Sequence, residues 1–120
     1  MKRDYGLYVK DILEAIESIE SFVGDMDFNE FLNDDKTKSA IVWKIGIIGE
    51  ATKNVPSTIR NKYKELPWKQ MAKMRDKISH LYFGIRYDII WKVIKENLPA
   101  IKPSIENVLN DLKGSEKTEQ

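Results

Sequence analysis

Apolar residues open the chain at steps of three and four, through Tyr5, Tyr8, Val9, Ile12, Ile16, Ile19 and Val23. That spacing lays one stripe along an amphipathic helix, and Gly24 ends it. Phe28, Phe31 and Leu32 predict a short second helix, with Asp27 as its N-cap. From 37 to 54 the pattern changes, because Ala40, Ile41, Val42, Trp43, Ile45, Ile47, Ile48 and Ala51 surround the helix on nearly every side. A helix that is apolar all round is normally buried all round. This one is expected either at the centre of a bundle or shared between a core and a subunit interface.

Pro56 and Pro67 each suit the first turn of a new helix, where the missing N–H costs nothing. They delimit a short helix carrying Ile59 and Tyr63, then a longer one from about 67 to 82, closed by Gly84. The next helix runs from about 88 to 98 through Ile90, Trp91, Val93 and Ile94; Pro99 and Pro103 then kink or restart it. Ile101, Ile105, Val108, Leu109 and Leu112 continue an apolar stripe. The sequence shows no strand pair, repeat or low-complexity tract, so the expected architecture is an all-α antiparallel bundle of about five or six helices. A single domain over 1–113 is followed by a flexible polar tail over 114–120.

Composition narrows the chemistry. No cysteine is present, which excludes disulfides, thiol catalysis and Cys-based zinc sites. The opening Met1-Lys2-Arg3-Asp4-Tyr5 lacks the apolar region of a secretory signal, and no stretch approaches the ~20 apolar residues of a membrane span. A cytoplasmic location is expected. The formal charge of +1 conceals an internal asymmetry. Residues 1–52 carry six basic and eleven acidic side chains, 53–95 carry eleven basic and three acidic, and 96–120 carry three and five. The middle segment, net +8, reads either as the electrostatic footprint of a nucleic-acid-binding surface or as a set of solvated helix faces; Lys73, Lys77 and Arg86 are the candidate RNA contacts of the first reading.

Within that segment, Arg75-Asp76-Lys77-Ile78-Ser79-His80-Leu81-Tyr82 gathers the single histidine with an arginine, a carboxylate and a tyrosine. Histidine accepts and releases a proton near neutral pH, and arginine presents a permanently charged planar fork that matches phosphate oxygens. On an ideal helix of about 100° per residue counted from Met71, Met74, Ile78 and Leu81 define the core face at about 300°, 340° and 280°. Arg75 and Tyr82 border that face, while Asp76 and His80 point away from it. Asp76 and His80 are four apart, so the carboxylate can orient the imidazole. Arg75 and His80 are about 140° apart on the same wheel and meet one ligand only if the helix distorts or a second chain completes the site. RNA cleavage needs the 2′-OH deprotonated, the phosphorane charge stabilised and the 5′-oxygen protonated. Here His80 serves as base or acid and Arg75 as stabiliser, and a second His80 or Tyr82 supplies the other proton transfer. No recognisable metal-ligand set exists; Asp34-Asp35 reads as a solvated or capping pair, and Gly46 and Gly49 read as close-packing positions.

The arrangement Arg75, four residues, His80, one residue, Tyr82 resembles the R-x4-H-x-Y motif of HEPN-domain ribonuclease toxins, and Asp76 fits the polar residue that commonly follows the arginine. The resemblance is closest to the HepT-like branch. It extends over nearly the whole chain through Ile48-Gly49-Glu50-Ala51, the motif helix, Tyr82-Phe83-Gly84-Ile85 and a tryptophan-containing helix. It implies a homodimer with two motifs facing across a cleft, catalytic Arg75 and His80, metal-independent and cofactor-free RNA cleavage, and a 2′,3′-cyclic phosphate product. It also implies a minimal nucleotidyltransferase antitoxin that transfers AMP from ATP onto Tyr82. The other reading is a non-catalytic helical module that binds a nucleotide or a protein.

Overall fold

The computed structural model describes residues 5–78 and 84–118, and its described residues form an all-α bundle without a strand. The elements are α1 (Tyr5–Val23), α2 (Phe28–Leu32), α3 (Asp35–Lys53), α4 (Ser57–Lys62), α5 (Trp68–Ala72), α6 (Met74–Ile78), α7 (Tyr87–Lys92), a wide π turn (Val93–Asn97) and α8 (Leu98–Thr118). Each boundary has a local cause. Gly24, at φ +50°, lets the chain leave α1 in a left-handed conformation. Asp27 and Glu30 form a reciprocal capping box on α2, and the Asp34 side chain accepts the Thr37 N–H at 2.9 Å to cap α3. That bond holds the Asp34 carboxyl below its ordinary value.

The core forms where α1 packs on α3 and α8. Val9, Ile12, Ile16 and Ile19 of α1 meet Ile41, Ile45 and Ile48 of α3 and Ile105 and Val108 of α8, all essentially sealed from solvent. Burying each such side chain contributes about 1.5–3 kcal/mol. A second layer joins α2 to α7: Phe31 lies 5.2 Å from the Trp91 ring and 6.1 Å from the Tyr87 ring, and Phe28 lies 5.7 Å from Trp91. The α3 helix is not enclosed on all sides by its own chain, because Trp43 is 71% exposed.

Residues 87–118 are helical without interruption, and thirty-two residues at about 1.5 Å each come to about 48 Å, close to the 50 Å long dimension of the molecule. Pro99 neither breaks nor restarts this helix. It cannot donate to the carbonyl four residues back, and the turn before it widens so that the Leu98 N–H bonds to the Val93 carbonyl instead. The same helix passes through Pro103 and continues beyond Gly114 to Thr118, so the expected tail begins inside a helix. One glycine costs only about 1 kcal/mol there, too little to force an end. Among the described residues, no helix is long and apolar enough to cross a membrane.

One long-range bond ties the far end of the bundle. Tyr63, buried at the end of α4, donates its hydroxyl to Asp111 Oδ2 of α8 at 2.9 Å, and the Trp68 indole N–H donates to the Tyr63 carbonyl at 2.9 Å. Burial, reinforced by the Asp111 carboxylate, pushes the Tyr63 phenol up to about 12. The native state therefore holds this proton longer than the unfolded chain, whose tyrosine titrates at about 10. Stability from this site is full below about pH 10 and is lost as pH rises towards about 12. Tyr63→Phe should abolish that alkaline loss in urea titrations and remove the latest tyrosinate step at 295 nm.

Candidate active site

The motif begins where α3 and α6 touch. Between α5 and α6 the chain does not follow the single helix expected over 67–82. Lys73, the C-cap of α5 at φ −76° and ψ −9°, departs from the mean α-helical ψ, and the Asp76 N–H bonds back to the Lys73 carbonyl at 3.0 Å. A turn with bonds between residues three apart brings such residues into line, and it sets Met74 with Met71 on the core side, at 7% and 0% exposure. The wheel counted from Met71 therefore fails across Lys73, although its placing of Met74 inside and Asp76 outside holds.

Gly49 is what lets α6 come this close. A Cβ at that position would lie 2.7 Å from the Arg75 backbone nitrogen, 2.9 Å from the Arg75 Cβ and 3.3 Å from the Ala72 carbonyl oxygen. The first of these is a backbone atom that cannot step aside. Close packing thus accounts for Gly49, as expected; at Gly46 no described atom lies within 4 Å of an added Cβ, so packing within the chain does not account for it.

Two ion pairs join the last turn of α3 to the first residues of α6. Arg75 Nη1 is 2.9 Å from Glu50 Oε2, and Asp76 Oδ1 is 3.6 Å from Lys53 Nζ. Arg75 and Asp76 are both exposed. The turn that carries their partners is itself firmly bonded. The buried Thr52 hydroxyl donates to the Ile48 carbonyl at 2.6 Å, the Asn54 side chain donates to the Glu50 carbonyl at 2.9 Å, and Arg60 Nε donates to the Val55 carbonyl at 2.8 Å. Glu50 and Lys53 were not among the sequence-predicted site residues. No local pattern singles them out, because each pair joins two helices that only packing brings together.

Of the remaining candidates, Lys73 is exposed at the turn between α5 and α6, and Lys77 lies in α6. Arg86 precedes α7 and grips Asp88 with one edge of its guanidinium, Nε to Oδ1 at 3.0 Å and Nη2 to Oδ2 at 2.7 Å. Those bonds raise the Arg86 value and hold Asp88 below the usual carboxylate range. His80 and Tyr82 lie outside the described residues. On the far side of that stretch, Gly84 has φ +95°, a conformation suited to the helix-ending role read from the sequence, and α7 is anchored by Trp91 and Tyr87 on Phe31. Among the described residues, no group of three or more acidic or histidine side chains could hold a metal ion.

Residues 12–108 match a family described as "Ribonuclease HepT-like". The chain belongs to the HepT-like ribonuclease family. It is 44% identical over 108 residues to the probable ribonuclease HepT of Thermococcus cleftensis, covering 90% of this chain and 98% of that protein. It is 43% identical over 116 residues to a Methanocaldococcus jannaschii protein named as a putative RNase, covering 97% of this chain and 96% of the relative. No solved structure matches the chain. The family match spans α1 to α8 and so takes in Gly49, Glu50, Arg75 and Asp76 of this HepT-like chain together.

The close approach at Gly49 has a measurable counterpart. Gly49→Ala should destabilise the protein by about 1–3 kcal/mol in urea denaturation, the usual cost of overpacking. Gly46→Ala, in the same helix, should be neutral or stabilising by up to about 1 kcal/mol, the gain in helix propensity.

Proposed function

We propose that this chain is the endoribonuclease toxin of a toxin–antitoxin pair, cleaving RNA without a metal at a site built on Arg75 and His80. The observation that carries the reading is family membership over 12–108, combined with an arginine held exposed at the edge of the bundle. In the proposed reaction His80 takes the proton of the 2′-OH and the 2′-oxygen attacks phosphorus. The bond to the 5′-oxygen breaks, and that oxygen leaves with a proton supplied by the second His80 of a homodimer or by Tyr82. The products are a 2′,3′-cyclic phosphate and a 5′-hydroxyl. Arg75 stabilises the charge on the equatorial oxygens, and Asp76 orients the His80 ring.

The exposed Trp43 supports a homodimer, since a large apolar side chain left in water on α3 favours covering by a second copy. The basic segment supports an RNA substrate, with Lys73, Lys77 and Arg86 as contacts. Because Asp88 already occupies the Arg86 fork, Arg86 should contribute less than Lys73. In this reading a minimal nucleotidyltransferase antitoxin transfers AMP from ATP to Tyr82. The added phosphate charge beside Arg75 then competes with RNA, and both partners meet in the cytoplasm.

Induction of the wild-type chain alone should arrest growth, and the purified protein should cut RNA in the presence of a chelator. His80→Ala and Arg75→Ala should each lower the cleavage rate by at least about a hundredfold. RNA binding with no cleavage by the wild type would instead favour the non-catalytic module. After incubation with ATP and the antitoxin, intact mass should rise by one AMP, and Tyr82→Phe should stay unmodified.

A further inference from the structure

We infer that Glu50 is a positioning residue for Arg75: it holds one terminal nitrogen of the guanidinium and thereby keeps the opposite edge turned towards phosphate. The inference rests on the ribonuclease reading, which gives Arg75 a phosphate to hold. Its geometric basis is independent of that reading. A guanidinium distributes five N–H donors around one plane, and two neighbouring nitrogens together meet two oxygens of a phosphate. Glu50 contacts Nη1, at one edge of that plane. No described residue takes up Nε or Nη2, which form another edge.

Arg86 supplies the internal contrast. Its partner Asp88 accepts from Nε and Nη2 at once, which occupies the edge a phosphate would use. Glu50 takes the other edge of Arg75, and among the described residues nothing occupies the Nε/Nη2 edge. An ion pair with both members 56% exposed adds little to fold stability, so its consequence lies elsewhere. Arginine has a long, rotamer-rich stem, and ordering it before the substrate arrives removes that cost from the reaction. The platform suits the task, because Gly49 seats the Arg75 backbone directly against α3 and the Asn54 bond holds the Glu50 carbonyl. Lys53, on the same platform, pairs with Asp76.

The test compares the purified wild-type chain with Glu50→Gln, which keeps the shape and removes the charge, and with Arg75→Lys as a background. Cleavage of a defined RNA should show kcat lowered about 10- to 100-fold in Glu50→Gln with KM changed less than about twofold, and the urea midpoint should not move. In the Arg75→Lys background the same substitution should cost nothing further. The Arg75 Nε–H signal, assigned by its loss in Arg75→Lys, should become more mobile in ¹⁵N relaxation of Glu50→Gln. An unchanged kcat overturns the inference, and so does a rise in kcat with a fall in KM, which would make Glu50 a competitor of phosphate. If the wild type does not cleave RNA, the ribonuclease reading fails. The relaxation measurement then still decides positioning, and unchanged order at Arg75 Nε–H overturns it.

Discussion

The approach of α6 to α3 at Gly49 governs the rest of the site. Helices normally keep a distance set by their side chains, about 8–10 Å between axes, and a glycine removes that spacer. Here the removal brings the backbone at Arg75 within reach of where a Cβ would stand, and three consequences follow together. Met71 and Met74 turn into the core, Arg75 falls opposite Glu50, and Asp76 falls opposite Lys53. The charged contacts are individually weak. Their alignment is inherited from backbone packing, which is not.

The described elements on either side of residues 79–83 are held by different physics. For α6 the constraint is steric, a seat against α3. For α7 it is aromatic, because α7 is fixed to α2 through Phe31, Trp91 and Tyr87. Lysines cover two of those rings, Lys38 Nζ lying 4.6 Å from the Tyr87 centroid and Lys95 Nζ 5.0 Å from Trp91. Two short helices with few residues of their own, α2 and α6, thus matter because of what they touch, since isolated helices of that length are unstable in water.

Much of this was legible in the sequence. The bounds of α1 and the caps at Asp27 and Asp34 could be read because each depends on residues within one turn. The stripe in α1 follows from the 3.6 period alone. What was not legible depends on two elements meeting. The break at Lys73 has no proline or glycine to announce it and lies between two helices that both pack on α3. The Glu50 and Lys53 pairs join residues more than twenty positions apart, and Gly46 and Gly49 look alike until the facing helix is placed. Pro99 was legible as a disturbance but not in kind: the sequence marks a missing N–H and leaves open whether the helix ends, bends or widens.

The wide turn at Val93–Asn97 sets a phase within one rod. It takes in one residue more than an α-helical turn, so every position beyond it is offset by about 100° from an unbroken helix. Ile90 is therefore free to face one set of neighbours while Ile101, Ile105 and Val108 face another, with no loop between them. A loop would let the two halves move independently, whereas a widened turn rotates the register yet transmits bending and twist. The aromatic anchor beside the motif and the Tyr63–Asp111 bond at the far end consequently share one stiff shaft, and a displacement at either is felt along its whole length.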